Sequence, residues 1–268
     1  MPDPTHSPDP KRFEVSRATL WFDRLMGWLI RFGGIGVIVA VFGIFYFVGK
    51  EVVPLFRDAD VAPAGEVSGE AAPRVLGMDE WAELPFFYDG GSEVVFSNVA
   101  TGERRVLPVP GLDEVEITAV SHDPVTQRIA LGTADGRVGS FIVEYVRQFE
   151  DGREPWVDPS ITVEPWFALE NGSGPVTALG YGDSGGGRVI VAKRGEGPSS
   201  TVSVLRLAMK KGLIGKGKLS LVGETDITGE LDTEARIVRA SQNGAMVLIA
   251  TRSGEIDYFM ASTVGVSK

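Results

Sequence analysis

Two hydrophobic rhythms divide this chain. Near its start, Phe32–Gly49 (FGGIGVIVAVFGIFYFVG) holds no charged residue, and LMGWLI (Leu25–Ile30) adds apolar length upstream, interrupted only by Arg31. The 25 residues from Leu25 to Gly49 are apolar on every side, unlike a helix with one buried stripe. They are long enough to cross a hydrocarbon core with some tilt. Arg31 lies at the entry end, where its side chain can snorkel to the headgroups. Trp21 and Trp28 suit one interface and Tyr46 the other. From about Val75 the rhythm becomes short alternating runs cut by Gly, Asp-Gly and Pro. They include EVVFSNV (Glu93–Val99), RIALGTA (Arg128–Ala134), RVGSFIVEYV (Arg137–Val146), RVIVAK (Arg188–Lys193), TVSVLRLAM (Thr201–Met209), MVLIAT (Met246–Thr251) and EIDYFMA (Glu255–Ala261). With no long helical period between them, these runs predict strands of a sandwich, barrel or propeller.

An internal repeat favours the propeller. ITAVSHDPVTQRIALGTADGRVGSFIV (Ile117–Val143) and RIVRASQNGAMVLIATRSGEIDYFMA (Arg236–Ala261) share one order. A strand leads through Ser and a polar turn to a buried strand ending in Thr, then an x-x-Gly turn and another strand. Pro175–Leu207 is a third copy with a longer last turn, and Val75–Pro108 a fourth, weaker one. Gly136 and Gly254 lie 118 positions apart, or two units of about 59, where a blade usually takes about 40–50. The excess is expected in hairpin extensions, one of them Phe141–Trp166 folded about Asp151-Gly152, a two-residue turn signal. There is no Trp-Asp signature. The fold class expected is all-β, a partial β-propeller of WD-repeat-like type with about four repeats and one N-terminal transmembrane α-helix. Four copies leave an open arc with an unpaired edge, which closed propellers avoid, so a longer protein is expected.

The domains expected are a cytoplasmic tail over 1–24, a membrane helix over 25–49, a linker over 50–74 and an extracytoplasmic propeller-like domain over 75–268. The first ten residues, MPDPTHSPDP, cannot form a core, and Arg57–Arg74 is a linker rich in Ala, Gly, Pro and Glu. The apolar run exceeds a signal peptide's h-region of about 7–15 residues. The only nearby A-x-A pattern, Ala62-Pro63-Ala64, lies well beyond it, so an uncleaved anchor is expected. Lys11, Arg12, Arg17, Arg24 and Arg31 precede the span, while Lys50 and Arg57 after it are offset by Glu51, Asp58 and Asp60. Basic flanks stay inside, which places the N-terminus in the cytosol and the β domain outside the inner membrane. Residues 1–31 hold five basic and four acidic groups, so of the chain's 26 and 36 there remain 21 and 32 beyond them, a net of −11.

That acidity argues against nucleic acid as a partner. With no cysteine and only His6 and His122, zinc sites and nucleophilic triads lack their ligands and bases, and no enzyme activity, metal or cofactor is expected. Gly182-Asp183-Ser184-Gly185-Gly186 matches the G-x-S-x-G string, but a strand follows where a nucleophile elbow needs a helix, and it reads as a turn. His122 in Ser-His-Asp-Pro reads likewise. Gly212-Leu213-Ile214-Gly215-Lys216-Gly217-Lys218 resembles a phosphate loop, yet Leu219 stands where Ser or Thr would hold magnesium, and an alternating strand follows. It reads as a basic hairpin tip, and Lys210, Lys211, Lys216 and Lys218 are candidate docking residues for a protein partner. Within the span, Gly36-x-x-x-Ala40 and Gly43 offer a packing face for another helix. Membrane lipid is the other expected partner.

Three stretches carry a resemblance: Gly43–Val61 (GIFYFVGKEVVPLFRDADV) with its VVPLF, Arg128–Pro165 with the long Asp-Gly hairpin, and Val202–Glu224. The chain resembles the N-terminal part of long phosphate ABC-transporter permeases of Gram-negative bacteria, in which a first membrane helix precedes a large propeller-like insert. The resemblance implies an accessory and anchor portion of a phosphate importer. Its partners would be a second permease, an ATPase and a periplasmic phosphate-binding protein. The further channel-forming helices of that family are absent, so no transport residue carries over. The alternative is a stand-alone membrane-tethered propeller scaffold that binds envelope proteins.

Overall fold

The first element is a helix, α1 (Arg17–Val52), which Ser16 caps by accepting a hydrogen bond from the Thr19 backbone N–H at 3.2 Å. The structure is a computed structural model and describes residues 16–56, 72–183, 187–210, 217–261 and 265–268. It divides into two units, Met1–Ala62 and Pro63–Lys268. The 36 residues of α1 rise about 54 Å at 1.5 Å each. The helix is therefore longer than the 25–49 span. It takes in the end of the expected tail and the start of the expected linker, because the cap holds its first turn and no Pro interrupts Arg17–Arg24. A single turn of 3₁₀ helix, Val53–Phe56, follows. The helix is long and apolar enough to cross a membrane, and its large apolar side chains are exposed throughout.

The second unit is built of four antiparallel meanders. The first sheet comprises β1 (Val75–Gly77), β2 (Phe86–Tyr88), β3 (Glu93–Ser97) and β4 (Arg104–Pro108). The second comprises β5 (Ile117–Asp123), β6 (Arg128–Thr133), β7 (Arg137–Gln148) and β8 (Trp156–Val163), with β9 (Phe167–Ala168) also paired to β7. The third comprises β10 (Val176–Asp183), β11 (Gly187–Arg194), β12 (Thr201–Lys210) and β13 (Lys218–Asp226). The fourth comprises β14 (Ala235–Ala240), β15 (Met246–Thr251), β16 (Ile256–Ala261) and β17 (Val266–Ser267). Each sheet is one copy of the repeat, and the weak copy over Val75–Pro108 is a complete sheet.

The repeat is also visible in the hydrogen bonds. The register slips by one residue at Ile117/Ala119, Val176/Ala178 and Ala235/Ile237, the same place in three sheets. The Thr-x-x-Gly turn closes by the Gly136 N–H donating to Thr133 O at 3.2 Å and the Gly254 N–H to Thr251 O at 3.1 Å. Both glycines have positive φ, 81° and 90°, which a side chain would strain. The longer unit of the second and third copies lies in the outer hairpins β7–β8 and β12–β13, as expected. The first hairpin is wider than a two-residue turn. Its ladder ends at Gln148↔Trp156, because Pro155 has no N–H to pair. Gly152, at φ 81°, sits in a turn closed by Arg153 N–H to Glu150 O.

Alternating side chains send each middle sheet into two cores. Ile129 and Leu131 of β6 join Phe86, Tyr88, Phe96 and Phe141 between the first and second sheets. Ala130 turns the other way, with Leu179, Ile190 and Leu205 between the second and third. Val189 and Val191 of β11 pack with Val238, Val247, Ile249 and Phe259 between the third and fourth. A strand buried on both faces carries no polar alternation, and β6 is buried at every position. Four face-packed meanders with their first strands adjacent define a β-propeller-like arc.

Candidate interaction site

The G-x-S-x-G string resolves into packing. A Cβ on Gly182 would lie 2.1 Å from Ser241 O and 2.7 Å from the Gly244 backbone. The Asp183 N–H donates across the same contact to Gln242 O at 2.8 Å. Glycine is there because the fourth sheet's turn runs against it. The Asp183 carboxylate is held by Arg128 Nη1 at 2.6 Å, Arg188 Nε at 3.0 Å and the Tyr181 hydroxyl at 3.1 Å. Ser184 lies outside the described residues.

Asp183 belongs to a buried ion-pair cluster joining the second and third sheets. Arg128, only 5% exposed, lies 3.2 Å through Nε from Glu164 Oε2 and crosses the Tyr181 ring at 5.4 Å. Glu164 also takes an ion pair from Arg188 and a hydrogen bond from the Ser140 hydroxyl. Two guanidinium groups thus face two carboxylates. The Tyr181 hydroxyl is pushed above its usual pKa by burial and stays protonated. Such a cluster clamps the two sheets together through paired charges, with Arg128 Nε the one atom of it left without a hydrogen bond among the described residues. Single runs of alternation do not reveal it, because its members come from separate copies of the repeat.

His122 lies on β5, one residue before the strand ends, rather than in the turn expected of it. The strand continues because His122 pairs with Ile129. Its Nε2 is 3.3 Å from Gln127 Oε1, and its ring meets Phe86 edge-on. Burial lowers its pKa below 6.5, opposed by the Gln127 hydrogen bond and Asp123. A histidine that resists protonation when folded favours unfolding once the unfolded chain takes up the proton. Its contribution is therefore complete well above pH 6.5 and is lost as pH falls below that value and through the lowered pKa of the folded state. Urea titrations on the acid side of neutrality should show stability falling with pH, and the slope should lessen in His122→Gln.

Among the described residues of the second unit, the outer face of the fourth sheet is an uncovered apolar surface. Ile237, Leu248, Ile256, Tyr258 and Met260 are all exposed, Ile256 and Tyr258 at 69% and 59%. The pairs Leu248↔Tyr258, Ala250↔Ile256 and Met246↔Met260 put them on one side, opposite Val247, Ile249 and Phe259. The first sheet has a smaller counterpart at the other end of the arc. There a groove of about 370 Å³ is lined by Phe87, Val95 and Val106 with Glu93 and Arg104 at its rim. The middle sheets contribute side chains to a core on each side.

Of the candidate docking lysines, Lys210 and Lys218 are direct cross-strand partners at the end of the β12–β13 hairpin. Lys211 and Lys216 lie outside the described residues, as does His6. Like charges opposite each other are unfavourable within a sheet, and this pair concentrates positive charge at the end of the β12–β13 ladder. Gly36, Ala40 and Gly43 follow i, i+4, i+7 spacing on one face of α1. A Cβ at Gly36 or Gly43 would meet open space. Among the described residues no group of His, Asp and Glu has the arrangement of a metal site.

No protein-family model and no curated protein matches the chain. Among solved structures, it is similar to a chain of the crystal structure of the mitotic checkpoint complex, at 12% identity over 79% of this chain and 60% of that one, with a TM-score of 0.38. It is also similar to the β-propeller domain of Cps50 (Swd1) from Myceliophteria thermophila, at 12% identity over 75% of this chain and 74% of that one, TM-score 0.35. The chain thus spans less than two thirds of the first of these. The fold is a β-propeller-like arc of four sheets, accompanied by one apolar N-terminal helix. None of these matches extends to the permease family that the three quoted stretches resemble.

Proposed function

We propose that this chain is a membrane-tethered β-propeller scaffold that binds another protein through the outer face of its fourth sheet. The observation that carries this reading is that face, a contiguous apolar surface on an otherwise acidic, well-packed domain. Exposed patches of this kind mark interaction sites. Every other broad sheet face near it is covered by a neighbouring sheet, so the partner suited to it presents an apolar β-sheet face of its own. Helix α1 supplies the tether, with its basic flank in the cytosol and the sheets outside the inner membrane, by the distribution of flanking charge. A finer version makes the scaffold part of a phosphate importer. It is supported only by the resemblance of Gly43–Val61, Arg128–Pro165 and Val202–Glu224.

A photo-crosslinking residue placed at Ile256 or Tyr258 of the full-length chain, in its native membranes, tests the proposal. The expected result is one discrete protein adduct from these positions and none from Arg153 on the far hairpin, with the adduct lost in Leu248→Glu. The chain should stay with the membrane through alkaline carbonate washing, and protease added to spheroplasts should digest it beyond Lys50. A chain recovered in the soluble fraction, or no adduct at either position, would overturn it.

A further inference from the structure

The first strands of the sheets, β1, β5, β10 and β14, neighbour one another at the centre of the arc. Between them lies a cavity of about 470 Å³ lined by Arg74, Thr118, Thr177, Arg236 and Arg239, and by no Asp or Glu. In a domain whose charge beyond residue 31 is −11, that is unexpected. Several arginines elsewhere on the sheets take carboxylate partners, as Arg137 does with Asp135 and Arg147 with Glu83, whereas Arg194 donates to the carbonyls of Leu169, Asn171 and Gly174. The three at the cavity have none among the described residues. Arg74 Nη1 donates to Ile117 O at 3.1 Å, and Arg239 Nη1 to Val238 O at 3.1 Å and Leu179 O at 3.4 Å. These contacts anchor two of the guanidinium groups and leave most of their five N–H donors unused. Gly90, at φ 99°, lets Arg74 lie close, since a Cβ there would come within 3.1 Å of the guanidinium. Arg236 is exposed and makes no hydrogen bond or ion pair among the described residues, although it also borders a second cavity beside Glu196 and Glu234, the latter already paired with Lys193 and Arg252.

Like charges gathered around one concave space raise the local potential and draw in the opposite charge. Guanidinium forks match the paired oxygens of carboxylate and phosphate. We propose that the central cavity is an oxyanion-binding site, taking a carboxylate or phosphate group that supplies the counter-charge these arginines lack. The negative surface of the domain would exclude most anions from its flanks and leave the axis as the point of entry. The site adjoins the apolar face of the fourth sheet, since Ile237 lines the cavity and Arg239 pairs across the strands with Leu248, but its test reads anion binding and not protein capture.

The test is calorimetric titration of the full-length chain in detergent micelles at neutral pH. One arm uses inorganic phosphate and the other hexaglutamate, each against chloride at equal ionic strength. Saturable binding in either arm is expected. Phosphate alone would identify a small or phosphorylated ligand, hexaglutamate alone an acidic segment, and both the shared oxyanion chemistry. Arg236→Gln/Arg239→Gln should weaken binding by about tenfold or more, the loss expected for charge-assisted hydrogen bonds. Arg236→Gln alone should weaken it in the same direction without touching any protein contact, which keeps the result readable if the double variant unfolds. Arg153→Gln, on the remote hairpin, should leave it unchanged. No saturable binding in either arm, or equal affinity in the Arg236→Gln variant, overturns the proposal.

Discussion

Replacing Arg128 by methionine is expected to destabilise the sheet assembly by about 3–5 kcal/mol, the cost of breaking a buried ion-pair cluster from one side. At about 2–4 °C per kcal/mol for a unit of this size, the melting temperature should fall by about 6–20 °C. The loss comes chiefly from what is left behind. Asp183 and Glu164 would face each other in the second-to-third sheet interface with Arg188 alone to serve both. Asp183→Asn should act in the same direction with a smaller effect, because Asn can still accept from Arg188 and Tyr181. The double variant Arg128→Met/Asp183→Leu should recover part of the loss, since it removes the stranded carboxylate along with its partner. Urea denaturation of the four chains measures all three differences. An Arg128→Met chain as stable as the parent would show that the cluster contributes nothing net.

Gly182→Ala is expected to cost about 3 kcal/mol, at the upper end for overpacking in a core, and Gly182→Val more. The added Cβ would meet the Ser241 carbonyl oxygen and the Gly244 backbone at distances no real contact shows. Backbone of a neighbouring sheet cannot step aside as a side chain can. Relief requires the third and fourth sheets to part, which opens the core around Val191, Val238 and Ile249. Gly229→Ala is the control: a Cβ there meets nothing within 4 Å, and its effect should stay within about 0.5 kcal/mol. If both substitutions prove equally mild, the close approach of the 241–244 turn to β10 is wrong.

The outcome at Gly182 also shows why the GDSGG string is uninformative by itself. A short motif specifies residue types, while chemistry needs a base and an oriented nucleophile. Here Asp183 is spent on Arg128 and Arg188, and His122 on Gln127. The same distinction applies to net charge. A domain total of −11 describes its average field and hides three arginines that come together at the axis only when β1 and β14 are brought round the arc.

By itself, the sequence determined what repeats locally. The uncharged run between Phe32 and Gly49 dictates a lipid-compatible helix, because apolarity on all sides leaves no aqueous face. Alternation, reinforced in the second and fourth sheets by the Thr-x-x-Gly turn, dictates the meanders, because strand pairing and positive φ act over a few residues. Even the 59-residue unit reappears as equal spacing between Ile117, Val176 and Ala235, where the register slips. Tertiary structure alone decided which faces are covered, which charges are paired across copies and which remain open. Arg128 and Asp183 are 55 positions apart, and Arg74 precedes β1 of the first sheet while Arg236 lies on β14 of the fourth. Their proximity is set by how the sheets stack, a property of no single segment.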